Sequence, residues 1–132
     1  MTGRPELTMV VAAVVRDGEG RILMATRPRG RHMEGLWELP GGKVEADEEP
    51  EEALVRELRE ELGVEVEVGA PLTFAIHREP SRRILLLFFE ARLVRGVPEP
   101  REGQSVRWVA PAELPALRTP PADAALIERL AS

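Results

Sequence analysis

Residues 42–64, GKVEADEEPEEALVRELREELGV, carry the clearest structural signal in the chain. Pro50 suits the first position of an α-helix and Gly63 suits the position just past its end, so the stretch predicts a helix over residues 50–62. At about 100° per residue, four aliphatic side chains fall on one face of this helix: Leu54, Val55, Leu58 and Leu62. We expect that face to pack against a β-sheet.

Three glutamates, Glu57, Glu60 and Glu61, lie along one edge of the same helix. Like charges at this spacing repel, at a cost of about 0.2–0.5 kcal/mol per pair. Glu61 falls nearest the apolar face, where a carboxylate is partly desolvated and needs a counter-charge. Because Mg²⁺ prefers oxygen ligands, the edge predicts a divalent-metal site. The alternative is a solvated helix supported by ion pairs such as Arg56–Glu60.

The rest of the chain consists of predicted strands and a second helix. Apolar or alternating segments predict strands at residues 7–15, 22–26, 64–68, 72–79, 83–94 and 105–109. The first two strands should form a hairpin, residues 27–35 a loop and residues 40–42 a turn. Residues 121–131 predict a short amphipathic helix. This order predicts an α/β (α+β) fold with a mixed β-sheet sandwiched between helices.

Length and composition limit the functional classes. With 132 residues, 43% of them hydrophobic, we expect residues 1–132 to form a single domain. Cysteine is absent and no apolar run reaches about 18 residues, which predicts a cytoplasmic protein without disulfides or a membrane partner. The net charge of −5 disfavours long nucleic acids, yet it is compatible with a small phosphorylated ligand bridged by a divalent cation.

Residues 42–64 resemble the Nudix box, Gly-x5-Glu-x7-Arg-Glu-U-x-Glu-Glu-x-Gly-U with U aliphatic. Its fixed positions are all filled: Gly42, Glu48, Arg56, Glu57, Leu58, Glu60, Glu61, Gly63 and Val64. The resemblance implies the Nudix fold and the hydrolysis of a nucleoside diphosphate linked to a group X. The flanking segments RHMEGLWELPGGK, EGQSVRWV and PPAD are similar to the MutT type, which implies a (d)NTP diphosphatase that converts 8-oxo-dGTP or a related nucleotide to NMP and PPi.

The same resemblance implies the roles of individual residues. The metal, Mg²⁺ or Mn²⁺, would be held by one backbone carbonyl and four carboxylates: Gly41, Glu57, Glu60, Glu61 and Glu102. The catalytic set would be Arg56, Glu57, Glu60 and Glu102. Arg56 would orient a neighbouring carboxylate, since a guanidinium can hold one with two prongs. The general base is Glu57, Glu60 or Glu102, with Glu57 the first choice, and Glu48 would bind metal through water or brace the loop.

Three further residues are candidates for substrate binding. Arg27 and Lys43 would contact phosphates, Arg27 by its resemblance to a MutT-type arginine. Asp123 stands where MutT has an asparagine that contacts the purine. An ionised carboxylate only accepts hydrogen bonds, so Asp123 would favour guanine, which presents two adjacent N–H groups. The alternative is that Asp123 caps the last helix.

Other functions remain open at this stage. Pro80, sixteen residues past Val64, is a feature of some relatives that cleave ADP-ribose or another nucleoside diphosphate sugar. The chain has no tyrosine, which disfavours a dinucleoside polyphosphate hydrolase. A non-catalytic nucleotide-sensing Nudix module is a further alternative, although such modules usually lack some box acids. We expect a monomer or a homodimer, and we expect the aromatic residues and His77 to lie in the core or the pocket wall.

Overall fold

The computed structural model of the protein describes residues 6–27 and 35–132. Within these ranges the strands are β1 (Glu6–Val15), β2 (Ile22–Thr26), β3 (Trp37–Glu38), β4 (Gly41–Lys43), β5 (Glu65–Arg78), β6 (Arg82–Arg95) and β7 (Val106–Val109). The α-helices are α1 (Pro50–Leu62) and α2 (Ala124–Ala131). Short 3-10 helices span Pro111–Ala116 and Pro121–Asp123. None of the described helices is long and apolar enough to cross a membrane.

Helix α1 has the predicted bounds because its ends are well capped. Pro50 starts the helix, and the Glu49 backbone N–H donates to the Glu52 carboxylate over 2.8 Å, which satisfies a group at the N-terminal end. Gly63 ends it with a φ of 68°, and its N–H donates to the Arg59 carbonyl. That left-handed backbone favours glycine, so the sequence signal for the helix end is confirmed.

Two sheets carry the fold. The larger has the strand order β4-β1-β6-β5, and the smaller has the order β3-β2-β7. Strand β1 pairs in parallel with β6, with Val10 opposite Leu86, and antiparallel with β4, with Val11 opposite Gly42. The larger sheet is therefore mixed, as predicted, and β1 lies between β4 and β6.

Alternate residues of β1 face two separate hydrophobic clusters. Val11 and Ala13 pack with Leu54, Leu58 and the other buried side chains of α1. Their neighbours on the strand belong to a second cluster that includes α2: Ala12 and Val14 pack with Leu126 and Ile127. Since successive residues of a strand point to opposite faces, a strand that is apolar on both faces lies between two layers. The predicted placement of the sheet between helices is confirmed.

Three local predictions are wrong. The first two strands do not form a hairpin, because β1 and β2 lie in different sheets and are joined only by the isolated bridge Arg16–Ile22. Residues 40–42 do not form a turn, since Gly41 and Gly42 belong to β4. The segments 64–68 and 72–79 are parts of one strand, β5, which continues through register shifts around Pro71. β-Bulges allow the strand to continue through this irregular segment, which the sequence analysis interpreted as a break between two strands.

The remaining local predictions have mixed outcomes. The predicted helix 121–131 is a 3-10 turn followed by α2, and of the predicted loop 27–35, residues 28–34 lie outside the described part of the chain. Phe88 and Phe89 are buried as expected. Phe74 is not, because its side chain is 63% exposed on the edge strand β5.

Candidate active site

The predicted site residues surround one cleft of about 580 Å³. Those that line it are Arg27, Gly41, Lys43, Glu57, Glu60, Glu61, Glu102 and Asp123. Arg56 is not part of the lining. Strand β4, helix α1 and the segment before β7 bring the acidic members together, and the segment before α2 contributes Asp123. The structure thus places distant parts of the sequence around one space large enough for a small ligand.

Glu61 has the most unusual environment among the acids. Its Oε2 atom is buried and has no hydrogen-bond partner in the described part of the chain. Burial is the main cause that raises the pKa of Glu61 to about 8, and the nearby charges of Glu57 and Glu102 contribute to the same rise. A desolvated carboxylate beside other carboxylates favours either protonation or a bound cation. The expectation that Glu61 is partly desolvated is therefore met.

Glu57 lies against strand β4. A Cβ atom on Gly42 would overlap the Glu57 carboxylate, so the glycine leaves the space that this side chain occupies. Burial raises the pKa of Glu57, the Arg56 guanidinium opposes that rise, and the charges of Glu60 and Glu102 add to it. Glu60 is more open to solvent, with 54% of its side chain exposed. The three helix acids thus range from buried to exposed.

Arg56 connects the acidic edge to the loop before the helix. Its Nε and Nη2 atoms donate to the two carboxylate oxygens of Glu48 over 2.6 and 2.9 Å. Its Nη1 atom donates to Glu57 over 2.8 Å and to Glu60 over 3.2 Å, and Nη2 also donates to the Lys43 carbonyl. The guanidinium therefore holds one carboxylate with two prongs and restrains two others.

Glu48 braces the loop. It accepts hydrogen bonds from Arg56 and from the Glu45 backbone N–H, the latter over 2.9 Å. The Arg56 guanidinium holds the pKa of Glu48 below its usual range. With both carboxylate oxygens in these bonds, the contacts match the bracing role predicted from the sequence.

The segment before β7 packs on the C-terminal end of α1. The backbone N–H groups of Glu99 and Arg101 donate to the Leu62 and Glu61 carbonyls, each over 3.0 Å. These carbonyls end the helix and lack partners within it. The segment thereby brings Glu102, which is exposed, close enough to raise the pKa values of Glu57 and Glu61.

The donor atoms fit a hard divalent cation, although their positions are not those of a closed cage. Carboxylate oxygens line the cleft, and one of them is buried without a partner. Across residues 6–27 and 35–132, no three acidic, histidine or cysteine side chains already surround a common metal position. Glu57 instead faces Arg56. Metal binding would have to draw the side chains together, as an ion does when it offsets their mutual repulsion.

A second group of charges lies around Asp123. Its side chain is only 4% exposed, caps neither α2 nor the preceding 3-10 turn, and has no hydrogen-bond partner among the described residues. Burial, together with the charge of Glu38 and against the opposing charge of Arg27, raises the pKa of Asp123 to about 7. The helix-cap interpretation of Asp123 is therefore wrong, because the carboxyl group lines the cleft instead.

Sequence reasoning missed Glu38. This residue of β3 lines the cleft, and burial raises its pKa while Arg27 opposes the rise. Arg27 Nε lies 3.0 Å from Glu38 Oε1, but the contact lacks hydrogen-bond geometry, so it is an ion pair only. The charge of Glu38 raises the pKa of both Glu61 and Asp123, so it is close enough to act on both groups. An acid inside the apolar segment LWEL was the available signal.

Lys43 and the apolar lining complete the cleft. Lys43 ends β4 and lines the cleft, as Glu57 and Glu60 do. Strands β1 and β6 contribute Val10 and Leu86 to the lining. A cleft that combines apolar walls with a few convergent charged groups is typical of a small-molecule site.

Comparison with known proteins agrees with this site. The model of the NUDIX domain matches residues 6–130, and the chain belongs to the Nudix hydrolase family. Members of this family act on small nucleotide substrates and generally use a divalent metal ion.

The chain is also similar to individual members of the family. The chain is 43% identical over 120 residues to a CTP pyrophosphohydrolase of Escherichia coli (strain K12), covering 90% of this chain and 87% of the relative. It is 40% identical over 126 residues to an 8-oxo-dGTP diphosphatase of Haemophilus influenzae, covering 95% and 92%. The crystal structure of the MutT protein from Methanosarcina mazei Go1 aligns with a TM-score of 0.85 at 25% identity, covering 98% of this chain and 96% of that one.

Proposed function

We propose that the protein is a Mg²⁺-dependent nucleoside triphosphate diphosphatase of the MutT type that releases NMP and PPi. The observation that carries this proposal is the buried Glu61 oxygen, which has no hydrogen-bond partner among the described residues. It lies beside three other carboxylates, in a cleft that also holds Asp123. The part lined by the carboxylates of α1 and Glu102 suits a metal-bridged polyphosphate, and the part around Asp123 suits a nucleobase. The relatives named for 8-oxo-dGTP and CTP support the same class of substrate.

The metal would be held by the Gly41 carbonyl and the carboxylates of Glu57, Glu60, Glu61 and Glu102. When bound, Mg²⁺ would offset the phosphate charge and make a water molecule more nucleophilic. The same oxygen ligands would also bind Mn²⁺. These residues line the cleft, and Arg56 restrains two of them.

A side chain of the protein would accept the proton that the attacking water molecule loses. Water attacks one phosphorus of the α–β linkage, and the bond between that phosphorus and the bridging oxygen breaks. Attack at the β-phosphorus makes NMP the leaving group, attack at the α-phosphorus makes PPi the leaving group, and in either case the leaving group takes the bonding electrons. Glu57 is our first choice to take the proton from water, because burial raises its pKa toward the range of a useful base. Glu60 and Glu102 are the alternatives. Arg56 would orient Glu57 through its 2.8 Å hydrogen bond.

Arg27, Lys43 and Asp123 would bind the nucleotide. Lys43 is a candidate for a phosphate contact, since it lines the same cleft as the acidic residues of α1. Arg27 would have to exchange its contact with Glu38 for a phosphate oxygen. An ionised Asp123 would accept the N1–H and N2–H of guanine.

A substrate panel tests the proposal. We would incubate the protein with Mg²⁺ and 8-oxo-dGTP, dGTP, CTP, ADP-ribose or a dinucleoside tetraphosphate, and identify the products by chromatography. We expect NMP and PPi from a triphosphate, abolished by EDTA and by Glu61→Gln. Preferred cleavage of ADP-ribose would replace the substrate class, and no cleavage of any nucleotide would favour a sensing module.

A further inference from the structure

Gln104 is the buried polar residue of the segment before β7, with 7% of its surface exposed. Its Oε1 atom accepts a hydrogen bond from the Glu102 backbone N–H over 2.8 Å. Its Nε2 atom donates to the Glu61 carbonyl over 3.2 Å. One side chain therefore joins the backbones of two residues that are 41 positions apart in the sequence and that both line the cleft.

The bridge requires an amide. One end of the Gln104 side chain must accept and the other must donate, and only one orientation of the amide satisfies both contacts. A methionine of similar length would make neither bond, and a carboxylate could not donate to the Glu61 carbonyl. Gln104 itself does not line the cleft, so it has no direct contact with a ligand there.

The bridged residues also share the cleft. Glu61 belongs to α1 and Glu102 to an exposed stretch, yet both line the same space. The Arg101 backbone N–H also donates to the Glu61 carbonyl. That hydrogen bond holds the peptide before Arg101 and does not hold the peptide between Arg101 and Glu102. The hydrogen bond from Gln104 restrains the Glu102 peptide itself.

We infer that Gln104 is a positioning residue that fixes Glu102 relative to Glu61 and so sets the spacing of two carboxylates at the divalent-cation site. This inference rests on the proposed function. Residues that hold metal ligands in place typically alter metal affinity by about 10- to 100-fold when replaced. Gln104 would act in the same way through the backbone of Glu102.

A double-mutant cycle on Mn²⁺ binding tests the inference without any substrate. We would measure the dissociation constant by calorimetry for the wild type, Gln104→Met, Glu102→Gln and the double variant. We expect Gln104→Met to weaken Mn²⁺ binding about tenfold when Glu102 is present and less than about twofold when Glu102 is already replaced. Ser105→Ala, a change at the exposed neighbour, should leave binding unchanged.

Each outcome has a separate meaning. Equal weakening in both backgrounds, or no weakening in either, would overturn the positioning role while leaving the metal site intact. Failure of the wild type to bind Mn²⁺ would overturn the proposed function instead. Thermal unfolding of each variant shows that a folded protein is compared, and if Gln104→Met does not fold, Gln104→Asn replaces it, since an amide one methylene shorter cannot span both contacts.

Discussion

Glu61 is a carboxylate in a place that disfavours its own charge. Its folded-state pKa of about 8 lies above the usual value, so between roughly pH 4.5 and 8 the folded protein binds more protons than the unfolded chain. The metal-free protein should therefore lose stability as pH rises through that window. We expect Glu61→Gln to remove part of this loss and to raise the Tm at pH 8 by a few degrees, on the order of 1 kcal/mol.

Thermal unfolding in EDTA at pH 5 and pH 8 measures this effect, with Glu60→Gln as the matched exposed control. Glu60 lies on the same helix edge, but 54% of its side chain is exposed. A Tm difference between the two pH values that is the same in wild type and Glu61→Gln would contradict the assignment.

Asp123 should make the choice of base depend on pH. Its pKa of about 7 leaves it ionised above that value and neutral below it, with Glu38 and Arg27 as the charges that face it among the described residues. An ionised carboxylate accepts two hydrogen bonds, as guanine requires, whereas a neutral carboxyl donates one and accepts one, as the cytosine edge requires. We expect the ratio of kcat/KM for GTP to that for CTP to fall as pH is lowered from 8 to 6.

Asp123→Asn keeps one donor and one acceptor at every pH, so its ratio should be constant over that range. Asp123→Ala should raise the KM of the preferred nucleotide by about ten- to a hundredfold, because buried donors are left unpaired. A pH-dependent ratio that persists in Asp123→Asn would assign the titration to another group.

The sequence predicted the residues of the site unevenly, for a physical reason. Glu57, Glu60 and Glu61 lie on one helix edge, so spacing alone places them together. Packing of separate elements leaves Glu38 half-buried and Gln104 buried, and the local spacing of residues in the sequence does not reveal this.

At the scale of elements, the two glycines of β4 have different tasks. A Cβ at Gly41 would overlap the Val11 carbonyl and the backbone of Ala12, whereas a Cβ at Gly42 would overlap the flexible Glu57 carboxylate. We expect Gly41→Ala to separate β4 from β1 and lower the Tm markedly. Gly42→Ala should displace Glu57 and lower kcat by about tenfold or more, with a smaller loss of stability.

Thermal unfolding and steady-state kinetics on the two variants distinguish these effects. The comparison is matched, because both changes add one methyl group to neighbouring residues of one strand. Equal Tm losses with unchanged kcat in the folded fraction of Gly42→Ala would contradict the role given to this glycine.

Helix α1 was predicted to the residue, because Pro50 and Gly63 act locally at its ends. The partner of β1 was not, since the turn Asp17–Gly20 favoured a hairpin with β2. Burial of both faces of β1 instead required a central position between β4 and β6. Turn residues in the sequence indicate where the chain reverses direction. The strands that pair with one another are determined by the packing of the whole core.

At the scale of the whole molecule, a bound cation should stabilise the fold. A ligand that binds only the folded state stabilises it by RT ln(1 + [L]/Kd), about 2.7 kcal/mol at 100 times the Kd. We expect millimolar Mg²⁺ to raise the Tm of the EDTA-treated protein. Glu57→Gln should fold, lose activity and show a smaller shift, because it removes a ligand together with a repelling charge.

Calorimetric scans with Mg²⁺ and with the same ionic strength of Na⁺ check this prediction. The sodium arm separates specific binding from the screening of acidic side chains. Equal Tm shifts in both salts, or full activity in EDTA, would contradict a divalent-cation site.

The parallel pairing of β1 with β6 also constrains how the molecule can be made. Val10 meets Leu86, so more than half of the chain must leave the ribosome before the central pair can close. Contacts so distant in sequence slow folding, whereas the β5–β6 hairpin can form early from neighbouring residues. Until β6 arrives, the apolar strand β1 lacks its parallel partner and is prone to aggregation, and the cleft lacks the wall that β6 contributes. Assembly of the cleft should therefore be a late event in biosynthesis.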